Sequence, residues 1–268
     1  MPVEDTNTRA WRIYGQRQLG RAYTPPVPER LDWTPWEGIG PGAEVLGDVS
    51  GRRVLDIGSG AGHHAVRLAQ AHGARVIGIE LSPTQHERAV SSHASVDGVE
   101  FVQADVAEYL TTTEPFDAAY AIGTLAFIDP HRSLPALRDG LRAGAPLILS
   151  LLHTDLHGRG PSTAVAPREQ MILLRDDPPL PTQMWVLAPQ LWENLLIEYG
   201  FRAEAVDLFP HPDESTTVIQ QLLRARRLPD RPTRISSRAR STQAPRRSGP
   251  AARITWTDPP GTVTGAQR

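Results

Sequence analysis

The stretch VLDIGSGAGHH, residues 54–64, sets a carboxylate, Asp56, near the end of an apolar run and follows it with glycine at three alternate positions, Gly58, Gly60 and Gly62. A strand, a glycine turn and a helix in that order bring backbone N–H groups close to a ligand. The dinucleotide fingerprint needs glycine at its sixth position, where this chain has His63. Asp56 discriminates further. A carboxylate there opposes a pyrophosphate by ~4 kcal/mol at about 4 Å and an effective dielectric of about 20, and favours a cation by as much. The turn therefore suits a ligand with an ammonium or sulfonium near the strand end.

Two acids downstream extend that reading. Glu80 closes the next apolar run, 24 residues after Asp56, where an acid can accept from both hydroxyls of a ribose. Asp105, in VQADV after the third run, is placed to accept from an exocyclic adenine amine. Ammonium, ribose diol and adenine together describe S-adenosylmethionine.

The elements that must hold these residues alternate. Strand-like RRVLDI, ARVIGIE, VEFVQAD, FDAAYAIG and APLILSLL are separated by helix-like GHHAVRLAQAHG, SPTQHERAVSSHA and HRSLPALRDGLRAG. Ser82 and Pro83 read as the N-cap and first residue of a helix. A further helix, PQLWENLLIEYG, precedes strands FRAEAVDLF and STTVIQQLLRARR. The expected fold is α/β and Rossmann-like: a seven-stranded, mostly parallel sheet with helices on both faces.

In order and spacing, VLDIGSGAGHH, VIGIELS, VEFVQADVAE, FDAAYAIGTLAFI and ALRDGLRAGAPLILSL resemble the class I S-adenosylmethionine-dependent methyltransferases, in particular the small-molecule branch labelled methyltransferase type 11. The resemblance covers residues 45–152, and more loosely the chain up to residue 226. It implies that Asp56 and the turn Gly58, Ser59 and Gly60 hold the methionine end of the cofactor and Glu80 the ribose. It places Leu81, Asp105 and Val106 at the adenine, with Ile122 and Gly123 beneath the sulfonium. One departure is RAGAP where the family usually has Pro-Gly-Gly before the fifth strand, in a turn remote from the methyl.

The sequence divides into an N-terminal aromatic cap over residues 1–50, a cofactor-binding domain over 51–228 and a basic tail over 229–268 that composition marks as disordered. Within the domain, residues 153–187 form an insertion after the fifth strand, expected to act as a lid or substrate wall. Prolines deny the cap long helices except near residues 7–20. Its Tyr14, Tyr23, Trp33 and Trp36, with Trp185 of the insertion, are candidates for an apolar pocket that takes an aromatic or hydrophobic acceptor.

Candidate groups for chemistry on the acceptor lie in LLHTDLHGRG. His153, Asp155 and His157 alternate and would share one face if the fifth strand ran that far. Three readings stay open: a histidine general base oriented by Asp155, a metal site of all three, and acceptor positioning without proton transfer.

Composition excludes several alternatives. The 268 residues include no cysteine and no lysine, so thiolate metal sites, cysteine nucleophiles, Schiff bases and the P-loop lysine are absent. No apolar run reaches membrane-spanning length, and residues 1–15 carry no apolar leader core, so no membrane partner and a cytoplasmic location are expected. Residues 224–268 carry a charge of +9 against −11 for the rest. The expected activity is methyl transfer to an O or N atom (C is a further option) of a small aromatic or hydrophobic acceptor, in a setting of secondary metabolism. No resident metal is expected, and nucleic acid is not the expected partner. The rivals are an RNA methyltransferase anchored by the basic tail and a non-catalytic protein that keeps the cofactor fold for binding.

Overall fold

The computed structural model describes residues 3–174 and 177–230. The parallel strands β1 (Arg53–Ile57), β2 (Arg75–Glu80), β3 (Val99–Gln103), β4 (Ala118–Ile122) and β5 (Pro146–Thr154) build most of one sheet. The first helix, α1 (Val3–Gly20), lies outside this alternation. Helices α2 (His63–His72), α3 (Pro83–His93), α4 (Val106–Tyr109) and α5 (Pro130–Gly140) make the crossovers between the strands. After β5 come a hairpin, β6 (Arg168–Leu174) and β7 (Asp177–Met184), then α6 (Pro189–Glu198), β8 (Phe201–Pro210) and β9 (Ile219–Arg227). The sheet order is β3-β2-β1-β4-β5-β9-β8, and β9 runs antiparallel to both neighbours. The expected seven-stranded, mostly parallel α/β sheet is the one found.

Strand residues alternate between two cores, as a sheet covered on both faces requires. Leu55, Ile57, Ala119, Ala121, Leu147 and Leu149 face α5 and α6. Val54, Ala118, Tyr120 and Ile148 face α2 and the N-terminal segment. Over β4 and β5 that second face is covered by the 3-10 turn Ala43–Leu46 and the segment before it instead of an α-helix. Trp33, fully buried, fills the position: its ring packs edge-on against Tyr120 at 5.9 Å between centroids, its Nε1 donates to Gly42 O at 2.9 Å, and Ser150 Oγ donates to its carbonyl.

The strand order reverses between β1 and β4, which opens a crevice at their carboxyl ends. Helix α1 roofs it. Asn7 is 5% exposed because it is spent on three bonds: Nδ2 donates to Phe127 O (2.9 Å) and Gln183 O (2.8 Å), and Oδ1 accepts from Gln183 N (2.8 Å). One amide thus ties α1 to the 3-10 turn after β4 (Leu125–Phe127) and to β7. Arg17 and Arg21 reach the same strand through Asp177 at 3.6 and 3.1 Å, exposed pairs that add little.

The insertion over 153–187 carries the hairpin β6–β7 and no element of it was foreseen. Its β7 sequence, DPPLPTQM, has three prolines, which argue against a strand. The hairpin is a two-stranded ribbon, so each strand pairs along one side only and proline can occupy positions whose N–H would face outward. No helix among the described residues is long and apolar enough to cross a membrane. Residues 231–268, nearly all of the expected basic tail, lie outside the described residues.

Replacing Asn7 leaves buried backbone groups of Phe127 and Gln183 without partners, a cost of roughly 1–3 kcal/mol. Asn7→Ala should lower the unfolding midpoint, and hydrogen exchange should quicken in α1 and β7 before it does in β1 or β4. Unchanged protection of α1 would show that Asn7 does not anchor the roof.

Candidate functional site

The site begins with the glycine turn. Gly58 N and Ser59 N donate to Ile79 O at 2.8 and 3.0 Å, so the end of β2 holds the turn that leaves β1. Gly58 has φ +68°, and a Cβ there would lie 2.1 Å from Thr124 Cγ2. Thr124 follows β4, so the loops after β1 and β4 meet at the switch point with no room for a side chain at residue 58. Gly62 caps α2 with φ +83°, and a Cβ on it would strike Phe101 at 2.4 Å. These two glycines are required by contact as well as by conformation.

Two adjoining cavities lie over this turn, of about 400 and 230 Å3, and both are lined by Trp11, Gly58, Glu80 and Thr124. The larger runs over Leu81, Asp105 and Val106 beneath α1. The smaller runs over Asp56, Ser59, Gly60 and Ile122 and is walled by Tyr14, Pro25, His63, His64 and Arg88. Nine of the ten residues expected at the cofactor therefore line one cavity or both. Gly123 lines neither: its φ is +75° and its N–H donates to Ser150 O at 2.9 Å.

Asp56 is 3% exposed, and its Oδ2 is buried without a hydrogen-bond partner, as is Ser59 Oγ. Burial pushes the Asp56 carboxyl up to about 7, and the nearby Glu80 charge adds to the rise. The Tyr120 hydroxyl lies near enough to favour the carboxylate, yet no hydrogen bond of ordinary geometry joins the two. Burial also raises the Glu80 carboxyl, while the N–H groups of Ser82 and Gly60 lower it. Those groups donate to Oε1 at 2.8 Å and Oε2 at 3.0 Å, so each Glu80 oxygen keeps one lone pair for another donor. His63 and His64 are pushed down to about 4 and 3, chiefly by burial, and so stay uncharged at neutral pH.

Several expectations change. Asp105 sits at the cavity wall, but its Oδ1 caps α4 by accepting from Ala107 N and Glu108 N (2.9 and 3.1 Å) and its Oδ2 pairs with Arg132 Nη1 at 2.8 Å. Only one acceptor position on Oδ2 remains for an adenine amine. Trp33 and Trp185 are core residues, 0% and 5% exposed, rather than pocket walls. Trp36 packs on His211 at 5.0 Å, and the Tyr23 side chain is 52% exposed. Of the five aromatics proposed for an acceptor, Tyr14 alone lines either cavity. Trp11 lines both; its place on α1 one turn before Tyr14 (ring centroids 5.4 Å apart) was the available signal.

The set His153, Asp155 and His157 does not assemble. Strand β5 stops at Thr154, so the expected shared face is lost. Asp155 closes a turn by accepting from His157 N (3.0 Å) and Arg159 N (2.9 Å), and from Arg159 Nε and Gln170 Nε2 at 2.7 and 3.1 Å. Although burial opposes it, this ring of donors holds Asp155 at about 2, fully ionised and committed to fastening the insertion. His153 Nδ1 is engaged by Thr154 Oγ1 at 2.9 Å, and Asp155 and His157 line a separate cavity beneath β6. Among the described residues no group of three or more His, Asp and Glu is arranged to hold a metal ion.

A sheet of this order with a glycine turn, a buried acid and a second acid at the switch point defines a Rossmann-like cofactor-binding protein. Residues 54–146 match the family described as a methyltransferase domain. The chain is 36% identical over 116 residues to the O-methyltransferase rstn1 of Aspergillus nomiae, a match that covers 42% of this chain and 52% of that protein. It is 32% identical over 136 residues to the tRNA U34 carboxymethyltransferase of Alteromonas mediterranea, covering 47% and 39%. The match thus spans about half or less of each relative. The [4+2]-cyclase SpnF shares the fold, with a TM-score of 0.59 at 17% identity over 83% of this chain and 96% of that one.

The raised carboxyl of Asp56 has a cost in the unliganded protein. Between the ordinary carboxylate value of 3.8 and about 7 the native state holds a proton that the unfolded chain has lost. Stability should therefore fall as pH rises through that window, by up to ~4 kcal/mol, and stay flat above it. Asp56→Asn should unfold at a higher temperature than the parent at pH 8 and at nearly the same temperature at pH 4.5. A parent melting point that does not fall between pH 5 and 7, once other groups are held equal by this comparison, would contradict the assignment.

Proposed function

We propose that the chain is an S-adenosylmethionine-dependent methyltransferase that acts on a small-molecule acceptor, at an O or N atom. The observation that carries the reading is the buried carboxyl of Asp56, its Oδ2 without a hydrogen-bond partner, beside a glycine turn and flanked by neutral histidines. This is a seat for a cation. The residues present fit the cofactor: Asp56 Oδ2 and Ser59 Oγ lack partners, and Glu80 keeps an acceptor position on each oxygen.

In this reading Asp56 holds the ammonium of the amino-acid end, with the backbone of Gly58 and Gly60 beneath it. Glu80 holds the ribose hydroxyls, and Leu81, Val106 and the remaining acceptor position of Asp105 flank the adenine. When bound, S-adenosylmethionine supplies a methyl that an acceptor lone pair takes in line while the pair of the broken C–S bond stays on sulfur. The protein's part is placement. The roof α1 with Trp11 and Tyr14, the Thr124 loop and Ile122 confine the acceptor and keep water out, and such positioning alone can supply ~7–11 kcal/mol. No imidazole in the smaller cavity has the basicity of a general base, since both stay below their usual range. The reading accordingly favours acceptors that reach the site with a lone pair already available.

Tyr14, Pro25 and Arg88 close the wall of the smaller cavity, which supports a small acceptor over an RNA anchor. Likeness to fungal O-methyltransferases supports transfer to an oxygen atom.

Affinity for S-adenosylmethionine should fall about tenfold per pH unit below about pH 7, as Asp56 must lose its proton to hold the ammonium. Asp56→Asn should bind at least tenfold more weakly and show a flat profile over the same range. With the same protein, label from methyl-tritiated cofactor should pass to members of a phenol, aromatic amine and aromatic acid panel and not to bulk tRNA. Transfer to tRNA alone would replace the small-molecule reading.

A further inference from the structure

Arg88, on α3, is 3% exposed and lines the smaller cavity. Its Nη1 donates to Gln85 Oε1 at 2.5 Å and its Nη2 to the Tyr23 carbonyl at 3.1 Å, while its buried Nε has no partner. Both partners are neutral. Among the described residues no carboxylate lies within ion-pair distance of it, although most of the molecule's ion pairs use arginine. A guanidinium taken out of water without a counter-ion carries a cost of several kcal/mol. A residue that only tied the loop at Tyr23 to α3 could do so without a permanent charge.

The surroundings suit an anion. His63 lies near Arg88, remains uncharged at neutral pH and has a buried Nδ1 without a partner. Tyr14 and Trp11 form the aromatic wall of the same cavity. Glu80 accepts from the N–H groups of Gly60 and Ser82, and no hydrogen bond joins Asp56 or Glu80 to the guanidinium, whose own donors go to Gln85 and the Tyr23 carbonyl. A planar fork that is dry, fixed at two corners and short of a negative charge is matched to a carboxylate.

We propose that Arg88 is the specificity residue for the acceptor, pairing with a carboxylate that the acceptor carries, so that the substrate class is an aromatic acid methylated at another of its atoms. The inference rests on the methyltransferase reading above. The same chemistry has a second source, the carboxylate of the cofactor's own amino-acid end, and the experiment separates the two.

The test titrates three matched pairs, benzoate and benzamide, 4-hydroxybenzoate and 4-hydroxybenzamide, indole-3-acetate and indole-3-acetamide, into protein saturated with S-adenosylhomocysteine. The parent should bind at least one acid tenfold or more tightly than its amide. That preference should shrink to about twofold in Arg88→Gln and be partly kept in Arg88→Lys. S-Adenosylhomocysteine and 5′-methylthioadenosine should bind Arg88→Gln within about threefold of the parent. A parent that prefers no acid overturns the proposal, and this arm needs no variant to fold. Weakened S-adenosylhomocysteine binding in Arg88→Gln with 5′-methylthioadenosine unaffected also overturns it, because the guanidinium then serves the cofactor. A parent that fails to bind S-adenosylhomocysteine removes the methyltransferase reading itself, which the other outcomes leave standing.

Discussion

The structure turns on a carboxylate with nowhere to put its charge. Asp56 sits in an interior strand, β1, its neighbours across the sheet are Gly78 and Tyr120, and the glycine turn begins two residues later. A parallel sheet covered on both faces has no water to offer there, so the group is protonated or paired. The rest of the site follows from that constraint. Gly78 and Gly58 keep the space around the strand end narrow, and His63 and His64 at the start of α2 are held neutral. Glu80 gives one lone pair of each oxygen to the backbone and keeps the other. Each feature lowers the competition that a bound cation would meet.

A Rossmann-like core alone leaves this crevice open and one sheet face bare. The N-terminal segment supplies both missing parts with different physics. Trp33 replaces a helix by burying an indole against β4 and satisfying its N–H on Gly42. Helix α1 covers the crevice and is held by the amide of Asn7 rather than by a large apolar face. A roof fastened by a few hydrogen bonds can be released at smaller cost than a packed core helix. Ligand entry between α1 and the Thr124 loop is compatible with that balance.

Much of this was legible from residue order. The strands of the main sheet declare themselves by apolar runs bounded by glycine, and Ser82 with Pro83 marks a helix start that the structure keeps, Ser82 Oγ accepting from Gln85 N. The acid after the first run argued for a cation because charge and position are both properties of sequence. What failed were inferences about side-chain direction. Alternation at His153, Asp155 and His157 meant nothing once β5 ended at Thr154 and a turn began. Aromatics in the cap could not be sorted into wall and core, since Trp33 and Trp11 differ only in what the fold sets against them. The hairpin β6–β7 was hidden by its prolines. Arg88 gave no signal either, because an arginine in a helix reads as a solvated face until its burial is known.

The most direct test counts protons. At pH 6.5 a carboxyl near 7 is roughly three-quarters protonated, so seating the cofactor's ammonium on Asp56 must expel that fraction of a proton. Calorimetric titration of the full chain with S-adenosylmethionine, repeated in buffers of different ionisation enthalpy, reads the number. Release of roughly 0.5–1 proton per site at pH 6.5, shrinking towards zero at pH 8.5, is what the buried carboxylate requires. Tight binding with no proton released at either pH would mean that Asp56 is not the seat of the cation.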